Sequence, residues 1–336
     1  MTNRYHYDPE TCNLYKEPRP STMPYLEWFT AQHQVRLEQV IHTETKEVHC
    51  KLCGSKDVVK YGTKGGVQYY WCNQCRKKFA GNNALPGMRT PPEQIAAALS
   101  MYYDGLSLNA IRRQLRQLYD SYPSDATVYE WVIRFTKVAI ERAAADRVEV
   151  GNLWAADETV LDVAGGRTKT GAENTIWFWD VIDEQTRFLL ASHMSRTRTI
   201  NDAEQLFTQA KAKAISSPRF IVTDRLAAYL EGIERVFGGE STHVQSRGMR
   251  SSTHNNLIER FHGTLKARTK IMRGMQNPQT ASLILNGWLV QYNYFRPHEG
   301  LSHKTPGEVA NSQFPCRNWL DVVMQGYTTE KIWAPT

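Results

Sequence analysis

Apolar residues beyond position 150 form short runs that alternate with longer segments of helical period. Three runs rich in β-branched and aromatic residues, NLWAADETVLDV, TIWFWDVID and RFLLASHM, predict three strands. Two shorter runs, RFIVTD and STHVQ, predict a fourth and a fifth strand. A three-to-four-residue apolar period predicts helices over residues 199–215, 225–237, 252–273 and 279–294. The predicted order is therefore three strands, helix, strand, helix, strand and two helices.

Three shorter helices are predicted before this region. Gly105 separates the first two, and Ser124 or Asp125 is suited to cap the third. A glycine-containing turn between short helices is typical of a helix-turn-helix. The predicted inward-facing residues are Ile95, Leu99 and Tyr102 in the first helix, Leu108, Ile111, Leu115 and Leu118 in the second, and Val128, Trp131, Val132 and Phe135 in the third.

The polar faces of these three helices allow two interpretations. In one, residues 91–145 are a helix-turn-helix domain that binds DNA and places its third helix at a major groove. In the other, they are an ordinary three-helix packing unit. The DNA contacts predicted by the first interpretation are Arg112, Arg113 and Arg116 on the second helix and Thr127, Tyr129, Glu130 and Arg134 on the third.

Two CxxC pairs mark a small unit over residues 46–80. The runs VVKYG and VQYYW between the pairs predict two short strands. Four thiolates in this arrangement predict a closed, tetrahedral, structural zinc site, without which so small a unit could scarcely fold. Two disulfides are the alternative, and they fit poorly with a chain that shows no secretory segment. The predicted ligands are Cys50, Cys53, Cys72 and Cys75.

The remaining segments carry no motif. Residues 1–45 contain one candidate amphipathic helix, over 24–41, and we assign them no function. The Gly/Asn/Pro stretch AGNNALPGMRTPP predicts a linker, and the apolar residues of 313–336 predict a short packed tail that could be an oligomer contact.

Composition and charge narrow the class of protein. With 41% hydrophobic and 22% charged residues, the chain has the composition of a soluble globular protein, and it shows neither a membrane span nor a secretory region. We therefore expect the cytoplasm. The net charge is +7, and basic residues cluster in two segments, 50–78 and 246–275. Each segment contains a single acidic residue, Asp57 in the first and Glu259 in the second. Two basic segments predict two contacts with a polyanion.

Three acidic residues occupy positions suited to a shared site. Asp157 closes the strand LWAAD, and Asp224 closes RFIVTD immediately before a helix. Glu259 lies in the helix predicted over 252–273, near His262 and Lys266 on one face, with 34 residues between Asp224 and Glu259. A lone glutamate on a basic helix more often faces solvent, so the functional interpretation requires the three acids to meet. If they do, their hard oxygen ligands suit Mg²⁺ or Mn²⁺.

With these motifs the sequence resembles the prokaryotic insertion-sequence DDE transposases, whose catalytic core is RNase H-like and of the retroviral-integrase type. The resemblance covers about residues 150–312 and includes the phrases WAADET, VTD, NNLIERFHGTLKAR and YNYFRPHEGLSHKTPGEVA. Lys266, seven residues after the glutamate, also belongs to the family pattern. The CxxC unit resembles the zinc ribbons at the front of several such transposases.

The resemblance implies a multidomain fold. Its parts would be a zinc ribbon over 46–80, an all-α helix-turn-helix domain over 91–145, an α/β RNase H-like core with a mixed sheet and flanking helices over 150–312, and a C-terminal tail over 313–336. Asp157, Asp224 and Glu259 would be catalytic and would hold two Mg²⁺ (or Mn²⁺) ions. The DNA track beside them would comprise Lys266, Arg260, Arg268 and Lys270.

The implied activity is metal-dependent cleavage and transfer of DNA strands by in-line attack at phosphorus. The implied partners are the terminal inverted repeats of the element, target DNA and further copies of the chain in a homodimer or larger synaptic assembly. A nucleoid-associated, prokaryotic location follows, with no membrane. Two alternatives stay open: a DNA-binding regulator with an inactive core, and an RNase H-type metal-dependent nuclease.

Four other polar residues are predicted to be structural. Asp162 and Asp180 lie late on predicted strands and are expected to face solvent. Asp183 lies in the turn signal IDEQTRF, and His193 is expected to be a satisfied histidine of the sheet.

Overall fold

The computed structural model describes residues 6–8, 13–15, 48–64, 66–85, 88–161, 176–246, 256–271 and 278–328. It divides into two compact units, residues 1–81 and 82–336. The helix predicted over 24–41 and Asp162 lie outside the described residues. Within the described part, no helix combines the length and the apolar character needed to cross a bilayer.

The first unit contains two small antiparallel sheets. Strand β1 (His6–Asp8) pairs with β2 (Asn13–Tyr15). Strands β3 (Val58–Lys64), β4 (Val67–Cys72) and β5 (Lys78–Ala80) form the second sheet in that order, which confirms the two strands predicted between the cysteine pairs. Its core is minimal, because the cluster of buried apolar residues described in it consists of Cys50, Cys72 and Phe79.

The second unit begins with three helices, as predicted. They are α1 (Pro92–Tyr103), α2 (Leu108–Tyr119) and α3 (Asp125–Ala144). Ser107 and Ser124 cap α2 and α3, each by accepting a hydrogen bond from the backbone N–H three residues on. The predicted inward-facing residues are buried or half-buried with one exception, Leu118, which is 63% exposed.

A five-stranded mixed sheet forms the centre of the second unit. Its strands are β6 (Leu153–Leu161), β7 (Ile176–Asp183), β8 (Leu189–Ser195), β9 (Phe220–Thr223) and β10 (Thr242–Gln245). The spatial order is β10-β9-β6-β7-β8; β6, β7 and β8 are antiparallel neighbours, and β9 and β10 run parallel to β6. All five strands were predicted from the apolar runs.

Helices cover this sheet in the predicted order. They are α4 (Ile200–Lys213), α5 (Ala227–Phe237), α6 (Asn256–Ile271) and α7 (Pro278–Val290), and a π-helical turn, Gln291–Phe295, follows α7. Two shorter helices follow, α8 (Pro306–Val309) and α9 (Trp319–Thr328).

The three N-terminal helices share one hydrophobic core with the sheet region. Helix α3 packs against α7, and α9 packs against α1 and α3. Tyr103 of α1 stacks on Trp319 of α9 with ring centroids 5.0 Å apart. Gly287 lets α7 approach α1 and α3 closely, because a Cβ at this position would collide with Tyr103 of α1 and Thr136 of α3. Residues 313–328 are therefore a packed part of this unit.

Candidate catalytic centre and metal sites

Two of the predicted acids lie at the same level of the sheet. Asp157 is on β6, and Asp224 directly follows β9. The two strands pair in parallel with Ala155 opposite Val222, so the same register places Asp157 opposite Asp224. Both acids are half-buried. Asp224 also accepts a 2.9 Å hydrogen bond from the backbone N–H of Leu226 at the start of α5, which fixes its carboxylate at the strand end.

Glu158, which was not predicted from the sequence, is a third acid in this cluster. Ligand oxygens of Asp157, Glu158 and Asp224 all lie within 4.8 Å of one another. The Glu158 side chain is only 4% exposed. It accepts a 2.6 Å hydrogen bond from the Tyr229 hydroxyl and pairs with Arg198, so two donors already stabilise its charge.

The environment of Asp157 opposes its ionisation. Burial raises the pKa of Asp157 to about 6, and the neighbouring charges of Glu158 and Asp224 act in the same direction. His262 acts in the opposite direction. A bound cation would offset the repulsion between these carboxylates and the desolvation of their charges. Oxygen ligands of this kind suit Mg²⁺ or Mn²⁺. The donor set therefore fits a divalent metal.

His262 lies between two acids on the buried face of α6. Its Nε2 atom is 3.0 Å from Oδ2 of Asp180, and its Nδ1 atom is 3.7 Å from Oδ2 of Asp157. The prediction that Asp180 faces solvent is wrong, since Asp180 is fully buried on β7, where it pairs in register with Asp157. Asp180 also accepts a hydrogen bond from the Ser192 hydroxyl. Burial raises the pKa of Asp180.

The predictions that Asp183 makes a turn and that His193 is a satisfied histidine of the sheet are confirmed. Asp183 organises the β7–β8 turn by accepting hydrogen bonds from Thr186, with a 2.7 Å distance to both its backbone nitrogen and its hydroxyl. His193 lies on β8, 3.4 Å from Asp202, and is satisfied there.

Glu259 is on α6, the helix that packs across β6 and β7. The apolar face of α6 is buried through Ile258, Phe261 and Leu265, whereas Glu259 is exposed in the first turn. Among the described residues, Glu259 lies outside the group of acids within 4.8 Å of one another. The structure thus brings together Asp157 and Asp224, and it places Glu259 on an adjacent helix.

The predicted DNA track is only partly described. Lys266 and Arg260 are exposed on α6, whereas the side chains of Arg268 and Lys270 lie outside the described residues. Lys266 follows Glu259 by seven residues, or two helical turns, so both project from one side of α6.

The four cysteines converge as predicted. Sγ atoms of Cys50 and Cys75 are 3.6 Å apart, as are those of Cys53 and Cys72, and all four lie within 4.8 Å of one another. A disulfide requires about 2 Å. Four thiolates at about 2.3 Å from a tetrahedral zinc ion are about 3.8 Å apart, so the observed spacing fits zinc.

The predicted contacts of the helical unit differ in their surroundings. Arg112 is tied to the α3 N-terminus, with its Nη1 atom 3.0 Å from Oδ1 of Asp125 and its Nε donating to the carbonyl of Pro123. Arg113 and Arg116 are exposed on α2, and Arg116 lies over the ring of Tyr122. On α3, Thr127 and Arg134 are half-buried; partial burial lowers the pKa of Arg134.

Comparisons with known proteins agree with this geometry. Residues 151–298, which run from just before β6 to the turn after α7, match a sequence family described as the DDE domain. The mixed sheet and its flanking helices have the element order predicted from the sequence for this region. Residues 151–298 thus have the sequence pattern of a DDE domain, and this region carries the paired acids Asp157 and Asp224.

Solved structures similar to this chain include three of retroviral proteins. A simian T-cell lymphotropic virus intasome in complex with the PP2A regulatory subunit B56 gamma gives 17% identity and a TM-score of 0.38, over 51% of this chain and 58% of that chain. The HTLV-2 integrase catalytic core domain in complex with magnesium gives 20% and 0.37, over 49% and 99%. The BIV integrase catalytic core domain gives 19% and 0.34, over 48% and 94%. No curated protein matches the chain.

Proposed function

We propose that this chain is the transposase of a prokaryotic insertion sequence, which binds the terminal inverted repeats of the element and then cleaves and transfers DNA strands. The observation that carries the proposal is the meeting of Asp157 and Asp224 at adjacent parallel strands inside a DDE domain. Burial and the neighbouring acids raise the pKa of Asp157, so its charge is costly unless a cation is to be bound there.

The catalytic residues would act through positioning and charge. Asp157, Asp224 and Glu259 would hold two Mg²⁺ (or Mn²⁺) ions, which when bound activate the attacking oxygen and stabilise the leaving 3′-oxygen of an in-line displacement. The sheet fixes Asp157 and Asp224, whereas Glu259 is carried by α6, so docking of α6 on β6 and β7 sets its approach. In-line displacement obtains most of its rate from such fixed geometry.

The outer side of α6 would carry the DNA beside the reacting phosphate. Lys266 and Arg260 are exposed there, and Lys266 lies on the same side as Glu259. Cations in this position neutralise phosphate charge without reading sequence.

Recognition of the element ends would fall to the cysteine unit and the helical unit. In the first, a structural zinc ion would hold the ribbon, whose face presents the exposed Tyr61 stacked on Trp71 and Lys78 Nζ 4.4 Å from the Tyr61 ring centroid. In the second, the exposed Arg113 and Arg116 of α2 would approach phosphates, and Tyr129 of α3 is also exposed. Basic and aromatic groups together are typical of nucleic-acid contacts.

Joining two element ends to one target requires at least two active centres. We therefore propose a homodimer or a larger synaptic assembly as the active form, with target DNA as a further partner.

A strand-joining assay tests the proposal. Purified full-length protein is incubated with Mg²⁺, pre-cleaved element ends that carry a 3′-hydroxyl, and supercoiled target DNA. We expect joined products from the wild type, and a loss of at least about a thousandfold in Asp157→Asn or Asp224→Asn with end binding retained, because removing one ligand charge removes the cation. Glu231→Gln, which removes an exposed acid on α5, is the matched control and should retain activity.

The other outcomes separate the alternatives. Metal-dependent cutting without joined product would identify an RNase H-type nuclease instead. End binding by the wild type with no cutting or joining under Mg²⁺ or Mn²⁺ would identify a regulator with an inactive core. Retained joining in Asp157→Asn would overturn the catalytic assignment.

A further inference from the structure

Asp157, His262 and Asp180 form a continuous row that begins at the acid cluster and leads away from it. Asp157 and Asp180 are directly opposite each other on β6 and β7, so their side chains leave the same face of the sheet. His262 descends onto that face from α6 and contacts both, with its side chain only 7% exposed. At the far end, Ser192 of β8 donates a hydrogen bond to Asp180. The DDE chemistry described above makes no use of His262 or Asp180.

The chemistry of the row defines where its hydrogens lie. An imidazole nitrogen that faces an ionised carboxylate must carry a hydrogen, because otherwise two lone pairs face each other. When Asp157 is ionised, as a cation ligand must be, Nδ1 of His262 therefore carries a hydrogen directed at Oδ2 of Asp157. The distance of 3.7 Å is longer than a hydrogen bond, and a hydrogen bond would form here only on loading of the site, in which catalytic hydrogen bonds often tighten. The 3.0 Å contact of Nε2 with Asp180 fixes the ring plane meanwhile.

We propose that His262 is a positioning residue: held in place by Asp180, it orients the Asp157 carboxylate for binding the divalent cation. This inference rests on the proposed function and adds two residues to the machinery of the site. Partners that hydrogen-bond to a ligating carboxylate fix its orientation, and their loss typically costs 10–100-fold in metal affinity or activity.

The same contact connects the two elements of the centre. His262 follows Glu259 by three residues on α6, so the pairing of its ring with Asp157 and Asp180 also fixes the rotation of that part of the helix over the sheet. An apolar residue at this position could pack beside Phe261 and Leu265, but it would contact neither acid through a hydrogen-bonding group. The 3.0 Å contact with the fully buried Asp180 accounts for one ring nitrogen, and the contact with Asp157 concerns the other.

Paired substitutions separate the two ring contacts. In His262→Asn the amide nitrogen can take the place of Nδ1, beside Asp157, whereas in His262→Gln it reaches the place of Nε2, beside Asp180. His193→Gln is the matched control, because it removes a histidine of the same sheet that also pairs with an aspartate, Asp202 of α4. Mn²⁺ binding to the full-length protein is measured by calorimetry, together with the Mg²⁺ concentration for half-maximal cleavage and the melting temperature.

We expect His262→Gln to weaken Mn²⁺ binding 10–100-fold and to raise the half-maximal Mg²⁺ concentration by a similar factor, so that excess metal restores part of the activity. His262→Asn should lose less, and His193→Gln should bind Mn²⁺ within twofold of the wild type. Unchanged Mn²⁺ binding in His262→Gln, or an equal loss in the glutamine and asparagine variants, would overturn the proposal. If His262→Gln does not fold, Asp180→Asn replaces it, and wild-type Mn²⁺ affinity in that variant overturns the role of the pair.

The Asp157→Asn variant distinguishes this inference from the proposed function. If Asp157→Asn abolishes metal binding and cleavage while His262→Gln behaves as wild type, only the positioning role fails. If Asp157→Asn still cleaves with Mg²⁺, the proposed function fails as well.

Discussion

Asp157 is held in surroundings that disfavour its own charge. Burial and two nearby acids raise its pKa to about 6, whereas an exposed aspartate ionises near 4. The folded, magnesium-free protein therefore binds this proton more tightly than the unfolded chain does. The group favours folding below about pH 4, and that contribution is lost as the pH rises through 6. At neutral pH the ionised Asp157 side chain destabilises the folded state, and a bound cation would offset that destabilisation.

Asp157→Asn should accordingly stabilise the protein when no magnesium is added. The raised pKa corresponds to up to about 3 kcal/mol at pH 7.5. The gain should shrink at pH 5 and be small near pH 4, where the folded carboxyl is protonated and the unfolded one is about half protonated. Urea unfolding of both proteins at the three pH values measures the difference. An equal free-energy difference at every pH would contradict the prediction.

Individual residues differ in how far the sequence could predict them. Asp157 and Asp224 were predictable because each ends an apolar run, and strand ends of a sheet converge. Asp180, Glu158 and His262 were not, because their burial depends on strand register and on which face of α6 meets the sheet. In a sequence, an aspartate in a strand has the same pattern whether it faces solvent or a histidine of a distant helix.

At the scale of single elements, the cysteine unit depends on its ligands more than on its core. Among its described residues, four apolar side chains are buried, Cys50, Cys72, Phe79 and Ala80, and two of these belong to the cysteine cluster. A β-sheet of this size is marginal by itself in water. The CxxC pairs allowed the sequence to predict the cysteine cluster and the strands β3 and β4 between the pairs, but not β5.

Removing zinc should therefore unfold this unit selectively. We expect a strong chelator, or Cys72→Ser, to abolish its structure and to expose the remaining thiols of the pairs to a thiol reagent, because binding and folding are one process in such units. The second unit, which has its own core, should keep its melting temperature. Cys316→Ser, which changes a buried cysteine of the second unit, is the control for thiol counting. Full retention of structure after chelation would contradict structural zinc.

At the scale of the whole molecule, amphipathic faces were predicted correctly, but their partners were not. The sequence separates residues 91–145 from 150–312, because helical periods give way to strand periods between them. In the structure both segments lie within the unit that spans 82–336, and their apolar residues form one core. An apolar stripe shows that a helix face is covered, yet it does not show by which element. The predicted boundary between a helix-turn-helix domain and a catalytic domain therefore stays a prediction about what each segment does.

A pair of fragments tests whether the helical unit and the catalytic region fold independently. A fragment of residues 82–336 contains the complete core and should unfold cooperatively. A fragment of residues 150–336 would lose α1 and α3, exposing the faces of α7 and α9 that they cover, including the ring of Trp319 that stacks on Tyr103. Because exposed apolar faces of this extent promote association, we expect the shorter fragment to aggregate or to lack a cooperative transition in a circular-dichroism melt. Phe135→Ala in the longer fragment should cost about 3–5 kcal/mol and lower the single transition of the whole unit, because Phe135 is fully buried in the shared core. A monomeric 150–336 fragment with the melting temperature of 82–336 would show instead that the catalytic region needs no support from the helices before it.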